Sequence, residues 1–404
     1  MTATPPPPPA PGPLAGVVVL DLTRVLSGPY CTMALADLGA RVIKVEHPRR
    51  GDDTRAWGPP FLAGESAYFL SVNRNKESVT LDFKTPEGRA LVERLIARAD
   101  VLVENFRPGT LADAGLDPAA LRDRHPRLIY CAISGFGQTG PRRDEPGYDA
   151  VMQAEGGLMS ITGDAEGPPF RLGVAIADIV SGMWAAQGIL AALVARERTG
   201  AGQMVDVGML DATTSLLTYQ AAHYFATGDA PGRLGNRHPM IVPYESFATA
   251  DGEIVVAVGN DALWRRFCDA AGAPALGADP RYATNQDRVT HYATLKPVLD
   301  ALFLTLSRQA WIDRLTPAGV PCGSVRDIHE VLTDPQIAAR GMVQSVPHPA
   351  IGEVRVTGVP VKLSATPGAV RTAPPTLGQH TDAVLAELGC DAETIAGLRE
   401  RGVV

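Results

Sequence analysis

Short apolar segments alternate with helix-like segments through the first third of the chain. Residues 16–22 (GVVVLDL) and 40–46 (ARVIKVE) have the composition of buried strands, and a helix is predicted between them at 28–38. The pattern continues with strands at 78–82, 100–104 and 128–134 and a helix at 85–99, in which Thr85 is the cap and Pro86 follows. Apolar strands that alternate with helices predict a doubly wound parallel sheet covered on both faces.

The turn between the first strand and the first helix narrows the choice of ligand. It reads Thr-Arg-Val-Leu-Ser-Gly at 23–28 and lacks the G-x-G-x-x-G pattern that lets a backbone approach a pyrophosphate closely. We therefore predict a Rossmann-like α/β fold without a dinucleotide fingerprint, and we expect neither a nicotinamide nor a flavin dinucleotide.

The length of 404 residues is enough for two domains. The proline-rich residues 1–13 are predicted to be a disordered tail, and 14–229 to form the large α/β domain. From about residue 230 short strands, tryptophan-bearing helices and dense turn residues replace the earlier pattern, which predicts a smaller α+β domain at 230–325. Residues 326–404 are expected to return to the large domain.

Composition limits the partners and the compartment. The net charge of −7 provides no global basic field for nucleic acid. The N-terminus lacks a secretory signal, and no run reaches the ~20 apolar residues of a membrane span. Five cysteines without metal-ligand spacing suit reduced thiols, so we expect a cytoplasmic protein with no bound metal.

One carboxylate, Asp178, lies among apolar residues in the stretch GVAIADIVSG (173–182). No basic residue occurs from 174 to 187, and an apolar, helix-like segment follows at 179–194. Burying a charge there costs free energy unless a partner satisfies it. One interpretation makes Asp178 the N-cap of the helix, and the other makes it a partly desolvated nucleophile at the helix start. The two roles are compatible, and the spacing alone leaves both open.

Polar residues follow the predicted strands at their carboxyl ends, where doubly wound sheets bind ligands. Asn105, Phe106 and Arg107 come directly after the strand at 100–104. Arg107 is suited to a phosphate and Phe106 to stacking on a base, although a solvated arginine and a core phenylalanine are equally consistent with the sequence. Lys84 and Tyr148 lie in similar polar stretches.

Several longer motifs occur in order along residues 14–404. They are LAGVVVLDLTRVLSGP, GARVIKVE, NRNKESVTLD, ADVLVENFRPG, GYDAVMQAEGG, ADIVSG, GNRHP, GVPCG and GQHT. Together they resemble the class III CoA-transferases, the family of formyl-CoA transferase and carnitine CoA-transferase. In that family the aspartate of the A-D-x-x-S-G motif is the nucleophile, and the resemblance places this role on Asp178.

The resemblance also implies a binding site for coenzyme A, which would be a substrate and not a permanently bound cofactor. The positions that match CoA-lining residues of relatives, or adjoin them, are Val25, Leu26, His47, Lys84, Asn105, Phe106, Arg107 and Tyr148. Two of them depart from formyl-CoA transferase, because Leu26 stands where that enzyme has Gln and His47 where it has Arg.

The implied reaction moves CoA from an acyl-CoA donor to a carboxylic acid through an aspartyl anhydride and an aspartyl-CoA thioester. The segment at 236–247 (NRHPMIVPYESF) is similar to the succinyl-CoA:glutarate members, so Arg237 or His238 is expected to hold the distal carboxylate of a dicarboxylate. Relatives form dimers of interlocked ring-like chains, and we expect a homodimer of this kind.

Two other functions remain open. An α-methylacyl-CoA racemase shares the fold, but those enzymes resemble G-H-D-x-N-Y where this chain has Tyr148 in place of the catalytic histidine. A non-catalytic acyl-CoA-binding protein is the other alternative, and the intact Asp178 argues against it.

Overall fold

The computed structural model describes residues 12–404, so the predicted tail at 1–13 lies outside the described residues except for its last two. The described chain forms two compact units. The first comprises the residues up to Leu158 together with Leu172–Ala222 and Pro335–Val404, and the second comprises Met159–Arg171 and His223–Asp334. The domain limits at 230 and 325 stay predictions, and the assignment of 159–171 to the second unit was not foreseen.

Thirteen strands and eighteen α-helices occur in the described residues. The strands are β1 (Val18–Asp21), β2 (Arg41–Glu46), β3 (Phe61–Leu62), β4 (Glu65–Ser66), β5 (Lys76–Thr80), β6 (Val101–Glu104), β7 (Ile129–Ser134), β8 (Met204–Gly208), β9 (Tyr244–Thr249), β10 (Gly252–Ala257), β11 (Cys322–Ser324), β12 (Val343–His348) and β13 (Gly352–Thr357). The helices are α1 (Ser27–Asp37), α2 (Ala67–Val72), α3 (Pro86–Ile96), α4 (Thr110–Asp113), α5 (Pro118–Arg124), α6 (Asp149–Glu155), α7 (Ile176–Thr199), α8 (Met209–Thr214), α9 (Thr218–Thr227), α10 (Asp261–Ala270), α11 (Pro274–Ala278), α12 (Asn285–Thr290), α13 (Tyr292–Phe303), α14 (Arg308–Leu315), α15 (Ile328–Leu332), α16 (Pro335–Ala339), α17 (Thr381–Glu387) and α18 (Ala392–Glu400).

Six parallel strands form the main sheet of the first unit, in the order β5-β2-β1-β6-β7-β8. Numbered along the chain this is the order 3-2-1-4-5-6, in which the direction of winding reverses between β1 and β6. The predicted parallel α/β sheet is therefore confirmed. Ligands of such sheets bind outside the carboxyl ends of the strands at the point of reversal, which here is the edge formed by the ends of β1 and β6.

Alternate residues of each strand enter different cores, one on each face of the sheet. On one face Val19 and Val101 pack with the buried sides of α1 and α7. On the other face Leu20 and Leu102 pack with α3 and with the C-terminal helices α17 and α18. Both faces are covered, which is why the central strands are mostly apolar.

Local signals located the strands and helices that were predicted in the first third of the chain. The predicted helix at 85–99 is observed as α3, in which the side chain of Thr85 accepts a hydrogen bond from the backbone N–H of Gly88 at 3.0 Å. The second unit contains the antiparallel sheet β11-β10-β9 and a core in which the rings of Phe303 and Trp311 lie 4.9 Å apart. The mixed α/β architecture thus agrees with the prediction.

Helix α7 contradicts one expectation from composition. By length and hydropathy it could cross a membrane, whereas no segment of this kind was expected from the sequence. Its residues Ala177, Ala185 and Ile189 are completely buried against the sheet. A central helix of a folded core meets the same criterion, so one such helix is weak evidence for a membrane.

A glycine allows α7 to approach the start of α1 closely. A Cβ atom placed on Gly182 would lie 2.5 Å from the carbonyl oxygen of Ser27 and 3.2 Å from the backbone nitrogen of Cys31. Both contacts are with backbone atoms, which cannot rotate away. The glycine of the A-D-x-x-S-G motif therefore sets the distance between the two helices, and with it the distance between Asp178 and Ser27.

We expect Gly182→Ala to destabilise the protein by about 1–3 kcal/mol, because the added methyl group must separate α1 from α7. Gly397→Ala in α18 is the matched control, since its Cβ would meet only the end of the Arg401 side chain, at 3.1 Å. The control should stabilise by about 0.5–1 kcal/mol through helix propensity. Urea denaturation measures both, and equal effects of the two variants would contradict the tight contact at Gly182.

Candidate active site

A cavity opens where the winding of the main sheet reverses, in the first unit. It contains six of the residues selected from the sequence, which are Val25, Asn105, Phe106, Arg107, Tyr148 and Asp178. We name it the Asp178 cavity. The sheet topology therefore brings together residues that are up to 153 positions apart, from Val25 to Asp178.

A second cavity adjoins the first and is lined by His47, Arg50 and Lys84. We name it the basic cavity. Arg24 and Phe106 line both cavities and form the wall between them. Seven of the eight predicted CoA-contacting residues thus divide between two adjacent cavities. No group of three or more His, Cys, Asp and Glu side chains that could hold a metal ion is found within residues 12–404.

Three of the selected residues lie elsewhere. Leu26 is buried in a small cluster with Met33 and Val72, and it lines neither of these cavities. Arg237 and His238 belong to the second unit. Their contribution to a substrate site therefore remains a prediction.

Asp178 is not the cap of α7, so the N-cap interpretation is wrong. The helix begins at Ile176, its N-cap residue is Ala175, and Asp178 is the third helical residue. The capping oxygen comes from another element: Oδ1 of Asp149 accepts hydrogen bonds from the backbone N–H groups of Ala177 at 2.9 Å and of Asp178 at 3.5 Å. Asp178 is consequently left to face the cavity.

The carboxyl group of Asp178 is difficult to ionise. Burial, followed by the nearby negative charge of Asp149, raises the pKa of Asp178 to about 7, while hydrogen bonds from the side chain and backbone of Ser27 act in the opposite direction. Within residues 12–404 no lysine or arginine forms an ion pair with it. Near neutral pH Asp178 is therefore a mixture of acid and poorly solvated carboxylate, which is typical of a reactive group.

The capping carboxylate is itself held in place by Gln153. The amide nitrogen of Gln153 donates to Oδ2 of Asp149 at 2.7 Å, and its oxygen accepts from the backbone N–H of Leu172 at 2.8 Å. Sequence reasoning did not assign a role to Asp149, Ser27 or Gln153. The spacing of Asp149 and Gln153, four residues apart on α6, was the one signal available.

The turn that follows β1 is fixed from several sides. Oδ1 of Asn105 accepts from the backbone N–H of Arg24 at 2.8 Å, and Nδ2 donates to the carbonyl oxygen of the same residue at 2.7 Å. Val25 then has φ of 68°, a conformation that is costly for a β-branched residue. Its N–H donates to Asp52 at 3.2 Å. Strain of this kind persists only where the surroundings impose it, and here it lies in the wall of the Asp178 cavity.

Buried charged side chains also hold the same turn in place. Nζ of Lys44 donates to the carbonyl oxygen of Thr23 at 2.8 Å and to Asp52 at 2.9 Å, with both charged side chains fully buried. Lys76 lies 3.2 Å from Asp21, and burial lowers the pKa of Lys76 to about 8. Removing one member of such a pair leaves an unpaired buried charge, which costs about 3–5 kcal/mol. The turn is therefore attached to the core of the unit by its strongest polar contacts.

Known proteins resemble this chain over nearly its whole length. The family described as CoA-transferase family III matches residues 14–381. A succinate–glutarate CoA-transferase of Agrobacterium fabrum is 45% identical over 385 residues, which is 93% of this chain and 96% of the relative. The succinyl-CoA:glutarate CoA-transferase of Homo sapiens is 42% identical over 393 residues, with 97% of this chain and 90% of the relative covered.

A solved structure shares the fold over nearly the whole chain. A CAIB/BAIF family protein from Brucella suis superposes with a TM-score of 0.84 at 41% sequence identity, covering 94% of this chain and 100% of that protein. The match in sequence extends from the first strand of the main sheet to the start of α17, and so includes both cavities. The chain belongs to CoA-transferase family III.

Proposed function

We propose that this enzyme transfers CoA from an acyl-CoA to a carboxylic acid, with Asp178 as the covalent nucleophile. The observation that carries the proposal is a half-buried carboxylate at the reversal point of the sheet, facing a cavity and raised in pKa to about 7. The capping role that would otherwise explain Asp178 is performed by Asp149. A carboxylate held without a cation is destabilising, so its presence favours a chemical role.

The first half of the reaction releases the donor acid. A carboxylate oxygen of Asp178 attacks the thioester carbonyl, the C–S bond breaks, and a mixed anhydride and CoA thiolate form. The thiolate then attacks Cγ of Asp178, the anhydride bond breaks, and the donor leaves as a free carboxylate. CoA is now joined to Asp178 as a thioester.

The second half repeats these steps with the acceptor. The acceptor carboxylate attacks Cγ of Asp178 and displaces the thiolate, which then attacks the acceptor carbonyl and restores the free Asp178 carboxylate. Whenever Cγ is attacked, negative charge develops on the oxygen atoms of Asp178. The N–H and hydroxyl groups of Ser27 already donate to this carboxylate, so they are placed to stabilise that charge.

A carboxylate suits this exchange better than a hydroxyl nucleophile. A thiol has a pKa of ~8.5 and a carboxyl group ~4, so in the anhydride the carboxylate is the better leaving group by roughly 6 kcal/mol in proton basicity. The returning thiolate can therefore open the anhydride. A serine ester would retain the acyl group, because an alkoxide is a far worse leaving group.

The acids exchanged are proposed to be dicarboxylates, with succinyl-CoA or a similar compound as donor. The names of the two relatives described above support this choice. In the second unit the guanidinium carbon of Arg237 lies 3.8 Å from the ring centroid of Tyr292, and its buried Nε has no hydrogen-bond partner in the described part of the chain. Burial lowers the pKa of His238, which makes Arg237 the better candidate for a substrate carboxylate.

We further propose a homodimer. Helix α7 exposes Met183, Trp184 and Val194, with 56%, 43% and 56% of their surface accessible. An apolar face of this kind on a central helix is typical of a surface covered by another chain. Light scattering at micromolar concentration tests this, and the mass of a single chain would contradict it.

We expect Asp178→Ala and Asp178→Asn to reduce CoA exchange to less than about a hundredth of the wild-type rate while leaving CoA binding intact, because neither side chain can form the anhydride. Mass spectrometry of donor and product CoA esters measures the exchange. Hydroxylamine added together with acyl-CoA should inactivate the wild-type enzyme and modify Asp178. Turnover above that level in the alanine variant, or modification at another residue, would contradict covalent catalysis by Asp178.

The rate should depend on pH through the same group. The attacking form is the ionised one, so kcat/KM should fall about tenfold per unit as the pH decreases below the Asp178 pKa of about 7 and level off above it. Ionised Asp178 also destabilises the fold, and this penalty is complete above pH 7 and decreases as the pH falls. Asp178→Asn should therefore melt at a higher temperature than the wild type at pH 8, with a smaller difference at pH 5. A melting difference that grows on acidification would contradict the raised pKa.

The dicarboxylate preference has its own test. We expect glutarate or succinate to exceed butyrate as acceptor by at least ~10-fold in kcat/KM, or ~1.4 kcal/mol, because a guanidinium without its carboxylate would be left unpaired. Arg237→Ala should remove most of this preference and spare exchange between monocarboxylates. Arg266→Ala, on the exposed side of α10, is the control and should change neither. A wild-type preference for butyrate would end the dicarboxylate assignment but not that of CoA transfer.

A further inference from the structure

Arg24 occupies the boundary between the Asp178 cavity and the basic cavity, and none of the assignments above gives it a role in binding. It lies three residues after the end of β1, and its backbone is fixed by the two hydrogen bonds to the Asn105 amide. Its side chain lines both cavities. A molecule that extends from Asp178 into the basic cavity must therefore pass the Arg24 side chain.

The guanidinium group of Arg24 is only lightly engaged. Nη1 lies 3.2 Å from Oδ2 of Asp53, and the group lies over the ring of Phe106 at 5.1 Å from its centroid. The side chains of Arg24 and Asp53 are 43% and 41% exposed. A solvent-exposed ion pair of this kind contributes about 0–1 kcal/mol to the stability of the fold, so stability alone does not account for an arginine at position 24. A guanidinium has five N–H donors, and a phosphate can accept two of them side by side.

The surroundings favour an anion at this position. Three acidic residues line the basic cavity. Glu46 and Asp52 are each paired with a cation, Arg55 at 2.7 Å and Lys44 at 2.9 Å, whereas Asp82 forms no ion pair within residues 12–404. The cations on the rim, Arg50 and Lys84, are exposed. These two cations outnumber Asp82, so the unpaired charge at the cavity is positive, and Arg24 lies at the side of the cavity that faces Asp178.

We propose that Arg24 binds a phosphate group of the acyl-CoA donor and exchanges its ion pair with Asp53 for that phosphate. This inference rests on the proposed CoA transfer, since it requires the reactive thioester to lie at Asp178. It makes Arg24 a specificity residue, because a thioester whose carrier lacks phosphate gains nothing from it. Asp53 then acts as a place-holder that keeps the guanidinium at the boundary while the site is empty.

The test compares two donors, succinyl-CoA and succinyl-pantetheine, which share the thioester and differ in the phosphate-bearing nucleotide. Arg24→Met should raise KM for succinyl-CoA about 10-fold or more, change kcat by less than about threefold, and leave KM for succinyl-pantetheine within about twofold. Arg24→Lys keeps the charge but loses the paired donors, so its KM for succinyl-CoA should lie between those of the wild type and Arg24→Met. Asp53→Asn should lower KM for succinyl-CoA, because a competing acceptor is removed.

Arg124→Met is the matched control. Arg124 forms an ion pair with Glu93 at 3.4 Å and is 47% exposed, close to the values for Arg24, but it lines neither cavity. This variant should leave both KM values unchanged. If Arg24→Met raises KM for both donors alike, or lowers kcat for both at constant KM, Arg24 acts only on the structure of the turn and the inference is wrong.

Calorimetric titration with CoA separates this inference from the proposed reaction. A 10-fold weaker affinity of Arg24→Met for CoA, with thermal melting within a few degrees of the wild type, supports the phosphate contact even if neither donor is turned over. Equal CoA affinity in wild type and both Arg24 variants overturns it even if CoA transfer is active. Should Arg24→Met fail to fold, the lysine variant decides, because loss of the paired donors alone must then weaken CoA binding.

Discussion

The hydrogen bonds between the Asn105 amide and the backbone of Arg24 join the two strand ends at which the sheet reverses its winding. Fixing the backbone of a turn costs about 1–2 kcal/mol per residue in entropy, and the left-handed Val25 adds strain to that cost. The paired amide bonds, together with the buried Lys44 below, offset it. This turn places Ser27 beside Asp178 on one side and the Arg24 side chain at the cavity boundary on the other, so both halves of the candidate site depend on it.

The same arrangement places two carboxylates of like charge close together at the proposed nucleophile. Asp149 and Asp178 lie close enough for the charge of one to raise the pKa of the other, and no arginine or lysine of residues 12–404 relieves it. A tightly packed interface maintains this geometry, because Gly182 brings α7 against the first turn of α1. Stability is therefore lost locally, and the large apolar cores on both faces of the sheet tolerate that loss.

The sequence predicted the sheet well because its signals are local. An apolar strand and a Thr-Pro helix start are each contained in a few neighbouring residues, and β6 and α3 were found within a few residues of their predicted limits. The hydrogen bond between Asp149 and Ala177 joins residues 28 positions apart, and no periodic pattern in the sequence predicts it. The side-chain directions of Val25 and Arg24 could not be predicted from the sequence either. The motif identifies the turn, whereas the direction of each side chain depends on backbone strain and on partners in other elements.

The position of Asp178 three residues into α7 explains how one helix start can serve both structure and chemistry. A carboxylate at the N-cap position accepts hydrogen bonds from the N–H groups of the first turn. These hydrogen bonds make the carboxylate a weaker base and nucleophile. Here Asp149 supplies the capping oxygen from α6, so the oxygens of Asp178 remain turned toward the cavity and toward Ser27. The charge of Asp149 also raises the pKa of Asp178, which increases the basicity of the carboxylate that is proposed to attack the thioester. The hydrogen bonds of Asp149 to the first turn of α7 therefore stabilise the helix, and its charge would also activate Asp178 in the proposed nucleophilic role.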